Sequence, residues 1–287
     1  MTKNETRQLA VLANDLSNPY FAEIITGFEN AAIDNNYLVS ICTAQREIEN
    51  YIRRLIAQRI DGVFIVGMPP LSDEKYHEII FNMVEAGIRV LINGIILKDS
   101  KEISHIFVDH MTGIDKAVSY LKSMGHTHIA MVSTFGRNSN FDIRDRMFFS
   151  AMDKYLPDSP KIFVSETGIR NPDMDSSYSL TKRLLTDHPE VTAVICLNDL
   201  MAYGVIQAAA YFNKSVPDEL SVIGMDDIYI SRNFNPTVTS IGFDKREYGM
   251  MAFELLYNHI KKNIVKDIDI RTELYIRSST GLAPGLK

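Results

Sequence analysis

"QLAVLANDLSNPYFAEIITGFENAAIDNN", residues 8–36, reads as a strand, a loop and a helix in that order, and the chain that follows repeats the unit. Gln8 to Ala13 is a continuous apolar run, which suits a strand covered on both faces as in a parallel sheet. Behind it, Asn18 can cap a helix whose first turn accepts Pro19. Phe21, Ile24, Ile25, Phe28, Ala31 and Ala32 then recur at helical spacing.

The same alternation continues through "YLVSICTA" (37–44), a helix from Ile48 to Gln58, "GVFIVG" (62–67), a helix near Glu74 to Ala86 and "RVLIN" (89–93). A second series is expected to begin near "ISHIFVD" (103–109), with strands at 128–133, 161–164, 192–197 and 220–224. The tail is less regular: "VTSIGFD" (238–244), a helix from about Lys245 to Lys261, and a closing strand "TELYIRSS" (272–279). Strands that alternate with helices specify α/β architecture with parallel sheets. At 287 residues the chain also exceeds the size at which one core keeps growing. Two doubly wound parallel-sheet lobes are therefore expected, and the late helix and strand suggest that the chain crosses between them more than once.

Composition narrows the function classes. The chain is 46% apolar and 23% charged with a net charge of −6, and no run of Lys and Arg forms a stripe that would track phosphates. By itself it should not bind nucleic acid well. No segment reaches the ~20 apolar residues needed to span a bilayer, and the first residues lack a secretion signal, so no membrane partner and a cytoplasmic location are expected. Cys42 and Cys196 sit in apolar runs, where a thiol acts as a small core residue.

Loops at the carboxyl ends of parallel strands converge on a crevice where small ligands bind. Asn14, Asp15, Asn93, Asp109, Asn198, Asp199, Asp226 and Asp227 all fall in such loops, and Arg144 opens a helix just beyond another. Acid/base catalysis, metal ligation and hydrogen bonding to a small polar ligand are the three chemistries open to them. There is no G-x-S-x-G elbow, P-loop or G-x-G-x-x-G fingerprint, and no cofactor is expected. The "HTH" at 126–128 has no third ligand nearby in sequence and reads as turn and strand-start histidines, so no metal is expected either. Asp226 is the acid that meets the crevice, while Asp227 or Asp199 can equally be a cap or loop residue.

The motifs together resemble the effector-binding core of the lactose/galactose-repressor (LacI/GalR) type of transcription regulator, a fold shared with periplasmic sugar-binding proteins of type I. They run in the family's order from Arg7 to Thr280: "NPYFAEIITGFENAA", "RIDGVFIVG", "VDHMTGIDKAVSYLKSMGHTHIAMVS", "RDRMFFSAM", "TAVICLNDLMAYGVIQAA", "SVPDELSVIGMDD", "NPTVTSIGFDKREYG" and "IRSST". The resemblance implies two lobes joined by three crossovers, with residues 7–107 plus 241–270 in one and 108–240 plus 271–287 in the other. It implies no enzyme but a ligand cleft in which Asp226 contacts effector hydroxyls or ring nitrogens and Arg144 is the effector-binding arginine. Asn198 is a cleft residue, Tyr20 and Phe21 form an aromatic wall, and Asn14 and Asn93 are further ligand contacts. The implied partners are a small-molecule effector, a carbohydrate first, a second copy in a homodimer, and operator DNA through a helix-turn-helix headpiece absent from this chain.

Met147 stands at the family's usual glycine, His110 at a common Asn, and Trp is absent, so Tyr and Phe must supply any stacking face. A transport or chemosensory sugar-binding protein, and a hydrolase using Asp226 and Asp227, are the rival readings.

Overall fold

A computed structural model describes residues 5–43, 48–67, 73–94, 101–134, 143–166 and 173–286. The chain forms two compact units, Met1–Val108 with Asp244–Ile270 and Asp109–Phe243 with Arg271–Lys287. It passes from one to the other three times, after Val108, Phe243 and Ile270.

Unit 1 is built on a sheet of six strands, with β1 (Gln8–Leu12), β2 (Leu38–Cys42), β3 (Gly62–Ile65), β4 (Arg89–Asn93), β5 (Ile103–Asp109) and β11 (Asp267–Arg271) in the order β11-β5-β4-β3-β1-β2. The β1, β2, β3, β4 and β5 pairings are all parallel. Leu9 to Leu12 of β1 are buried without alternation, as expected of a strand with both faces covered. On one face Ala10, Leu12, Val63, Ile65, Val90 and Ile92 pack with Ile52 and Leu55 of α2 (Ile48–Gln58) and Ile79 and Met83 of α3 (Asp73–Glu85). On the other, Phe64 stacks on Phe28 of α1 (Pro19–Asp34), which in turn meets Phe253 of α8 (Lys245–Lys262) edge-on.

Helices α1 and α8 come into backbone contact through glycines on both sides. A Cβ on Gly27 would lie 2.1 Å from the Arg246 carbonyl oxygen, and one on Gly249 would lie 2.1 Å from that of Ile24. This pairing ties a segment near the start of the chain to one near its end. At the head of α1, Asn18 caps as expected, its Oδ1 accepting the Tyr20 N–H at 3.0 Å ahead of Pro19.

Unit 2 repeats the plan with β6 (Ile129–Val132), β7 (Ile162–Val164), β8 (Ala193–Cys196), β9 (Ser221–Asp226), β10 (Thr239–Gly242) and β12 (Glu273–Tyr275) in the order β12-β10-β9-β8-β6-β7. All its pairs are parallel except β10 with β12, which is antiparallel. Its helices are α4 (His110–Ser123), α5 (Ile143–Tyr155), α6 (Met174–Asp187) and α7 (Asp199–Tyr211), with a single 3-10 turn at Tyr229–Arg232.

The architecture is the expected pair of doubly wound, mainly parallel sheets. One assignment is corrected: "ISHIFVD" does not open the second series but, as β5, hydrogen-bonds to β4 and completes the first sheet. A buried apolar run carries no label for the sheet that takes it. The sequence reading also passed over β11, "DIDIR", an edge strand in which exposed Asp267, Asp269 and Arg271 alternate with half-buried isoleucines.

Candidate functional site

The carboxyl edge of the unit 2 sheet is organised around the end of β9. Asp226, the last residue of that strand, and Asp227 both have positive φ, 106° and 50°. Side chains with a Cβ rarely occupy that region; Asn and Asp tolerate it better than most, and strained backbone of this kind costs on the order of 1–3 kcal/mol and gathers at functional sites. A buried polar frame holds it here.

Asp227 faces inward. Its carboxylate is buried and accepts from Arg277 and, at 2.7 Å, from Arg232, while its N–H donates to Ser240 Oγ at 2.9 Å. Asp199, the first residue of α7, is also buried and accepts from the Ile228 N–H at 2.9 Å, Ser231 Oγ at 2.5 Å and Ser240 Oγ at 2.6 Å. Glycines in the adjoining strands make room for both acids. A Cβ on Gly224 of β9 would lie 2.1 Å from Asp199 Oδ1, and one on Gly242 of β10 would lie 2.4 Å from Asp227 Cβ. The acids after "VIG" and the glycine of "SIG" are thus one packing solution.

Two further expected residues meet just past the end of β8, the strand beside β9. Asn198 is buried and caps α7, its Oδ1 accepting the Met201 N–H at 2.8 Å. Its Oδ1 is therefore engaged by the helix. Arg144, in the first turn of α5, reaches the same place and donates from Nη1 to the Leu197 carbonyl at 3.2 Å. Sequence reasoning missed Ser133 and Thr134, which follow β6 at the same edge. Both are buried, and among the described residues their hydroxyls have no hydrogen-bond partner. Small hydroxyl residues at the end of an apolar strand were the available signal.

Unit 1 assembles a second group at its own carboxyl edge. Gly67, after β3, is glycine because a Cβ would lie 3.0 Å from Phe21 Cε1 and 3.2 Å from the Asn14 nitrogen. Asn14 and Phe21 are thereby brought together, and Tyr20 meets Phe21 edge to face with ring centroids 5.2 Å apart. Asn93 is a strut: its Nδ2 donates to the Val66 carbonyl at 3.1 Å and its Oδ1 accepts from the buried Tyr248 hydroxyl at 2.9 Å. Both ends of its amide are engaged inside unit 1. Asp15 holds its own loop, accepting from the Ser17 N–H and hydroxyl at 2.8 and 2.7 Å.

The remaining candidates are structural. His126 is buried with Nδ1 2.9 Å from Thr192 Oγ1 and Nε2 3.1 Å from the Gly281 carbonyl, so Nε2 carries the proton and burial pushes the imidazole's pKa down. Cys42 and Cys196 are buried thiols, and burial pushes that of Cys196 up. Among the described residues no group of three or more His, Cys, Asp or Glu could hold a metal, and no helix is long and apolar enough to cross a membrane.

Residues 118–280, more than half of the chain, match the family of periplasmic binding protein-like domains. The HTH-type transcriptional repressor PurR of Photorhabdus laumondii is 30% identical over 291 residues, covering 96% of this chain and 80% of the relative. PurR of Pasteurella multocida is 29% identical over 96% of this chain and 82% of its own length. A crystal structure of a LacI family transcriptional regulator from Enterococcus faecium with bound ribose superposes with a TM-score of 0.82 at 25% identity, covering 96% of this chain and 98% of that one. The chain belongs to the LacI family of transcription regulators. A LacI-family regulator from Arthrobacter sp. FB24 in complex with lactose, 20% identical with a TM-score of 0.82, shares the same fold. The chain carries the effector-binding domain of a LacI-family regulator.

Proposed function

We propose that this chain senses a sugar and transmits its presence to operator DNA. The observation that carries the reading is Asp226, fixed at a φ of 106° by a buried polar frame, with Arg144 and Asn198 at the neighbouring strand end. A carboxylate accepts from two hydroxyls, while the guanidinium and the Asn198 amide nitrogen donate to ring or hydroxyl oxygens, a pattern matched by a polyhydroxylated ligand. At its own carboxyl edge, unit 1 offers Asn14 as a polar group and Tyr20 with Phe21 as an apolar face, with Asn93 acting through its bonds to Val66 and Tyr248. The ribose bound in the Enterococcus faecium relative supports a sugar over other effector classes.

A bound sugar favours the conformation that holds it best, and in a homodimer that bias is passed on to operator DNA. Coupling of this kind is about 1–3 kcal/mol. Titration calorimetry against D-ribose, hexoses, disaccharides, sugar phosphates and nucleobases tests the reading, with Asp226→Ala as the variant. A neutral sugar should bind, and losing charge-assisted hydrogen bonds worth ~1.5–3 kcal/mol should weaken it about 10- to 100-fold. Binding of a nucleobase alone would overturn the sugar assignment, and unchanged affinity in Asp226→Ala would remove that residue from the site.

A further inference from the structure

We propose that Asp199 is a positioning residue for this site: its carboxylate is an acceptor-only anchor that fixes the turn after β9 and so sets the direction in which Asp226 points. The proposal rests on the reading of Asp226 as the effector's acceptor.

Asp199 begins α7 but does not cap it. It reaches instead to donors 29, 32 and 41 residues away, the Ile228 N–H, Ser231 Oγ and Ser240 Oγ. Each hydroxyl has a second partner. Ser231 Oγ lies 2.8 Å from Tyr203 Oη, and Ser240 Oγ accepts the Asp227 N–H at 2.9 Å. Hydrogens therefore point at Asp199 from both sides, from Tyr203 through Ser231 on one arm and from the Asp227 amide through Ser240 on the other. A group with no hydrogen of its own terminates both arms as they stand. An amide or a protonated carboxyl at position 199 brings a hydrogen to one arm and obliges that hydroxyl to turn its own proton to a weaker acceptor, such as the Ile241 carbonyl 3.5 Å from Ser240 Oγ, and the contacts disturbed are those flanking Asp226. The same frame explains Gly224, whose absent side chain admits Oδ1.

The charged and titratable groups around the carboxylate come from every adjoining element: Cys196 of β8, Tyr203 of α7, Asp227 after β9, and Arg232 and Arg277 on the far side of Asp227. Burial pushes Asp199 up to about 7, with the hydroxyls and the Ile228 N–H pulling the other way and Asp227 adding to the rise. A proton then reaches this network within the neutral range.

Amide hydrogen exchange followed by NMR on the full chain tests this without any ligand. In Asp199→Asn at pH 7.5, Asp227 and Ile228 should exchange at least about tenfold faster, while Val194 of β8 and Val222 of β9 keep their protection. Ser240→Ala, a gentler change, should free the Asp227 amide and leave Ile228 protected. In the parent the Ile228 amide shift should titrate near pH 7, and in Asp199→Asn it should not. Unchanged protection at Asp227 and Ile228, or a loss shared equally by Val194 and Val222, would overturn the proposal. A parent that takes up no D-ribose in calorimetry counts against the sugar reading alone, because the exchange result stands without it. A parent that binds D-ribose as tightly as Asp199→Asn does, while Asp226→Ala is impaired, counts against Asp199 alone.

Discussion

The two arginines on Asp227 should differ sharply in their value to the fold, although they share one carboxylate. The Asp227 side chain is 1% exposed; that of Arg277 is 16% exposed and that of Arg232 55%. Water screens an exposed pair to about 0–1 kcal/mol, whereas removing one partner of a buried pair strands the other and costs about 3–5 kcal/mol. Arg232→Ala should therefore lower stability by at most ~1 kcal/mol and Arg277→Ala by ~3–5 kcal/mol. Part of the latter is the bond from Arg277 Nη1 to the Val238 carbonyl, 2.6 Å long. Asp227→Asn, which keeps a residue tolerant of the 50° φ, should cost about as much as Arg277→Ala, because an amide nitrogen would face a guanidinium. The Asp227→Asn, Arg277→Ala double variant should cost less than the sum by ~0.5–3 kcal/mol. Urea unfolding followed by circular dichroism at low and high salt measures all four. The Arg232 effect should fade with salt and the Arg277 effect persist. An Arg232→Ala loss as large as that of Arg277→Ala, or strict additivity in the double variant, would refute the reasoning.

Stability should also report on Asp199. Its folded-state pKa, raised to about 7, lies above an unfolded value of about 3.9, so the folded chain holds the proton more tightly. The cost of burying the charge is absent below about pH 4, grows between ~4 and ~7, and is complete above; three units correspond to ~4 kcal/mol. The stability of the parent relative to Asp199→Asn should fall by up to that amount as pH rises through this window, and a flat difference would sink the assignment. In unit 1, Gly249→Ala drives a methyl to within 2.1 Å of the Ile24 carbonyl and should destabilise by ~1–3 kcal/mol despite alanine's better helix propensity. A melting temperature equal to or above the parent's would show that α1 and α8 can separate freely.

What could be read from the sequence was whatever local pattern decides. The unbroken apolar runs of β1, β3, β8 and β9 announce strands buried on both faces, and Asn18 with Pro19 announces the start of α1. Asp226 was legible because it is the first polar residue after such a run. Sheet membership was not, since the apolar run of β5 would satisfy either sheet, and β11 buries too little to stand out. The frame around Asp226 was equally hidden. Asp199 looks like a helix-start acid, and nothing nearby in sequence announces partners at Ser231 and Ser240. The distinction between Asn14 and Asn93 likewise depends on Tyr248, 155 residues beyond Asn93.

The glycine contact between α1 and α8 also sets a timetable for synthesis. Residues up to Val108 leave the ribosome carrying α1, but the helix that covers its Gly27 face starts at Lys245. At about 5–20 residues per second, that face waits on the order of ten seconds or more for its partner. During that interval Phe28 lacks the Phe253 ring, and Phe64 the Tyr248 ring, that later pack against them. The emerging chain thus has an apolar surface that a chaperone can occupy, and a variant that stops before α8 would leave it open for good.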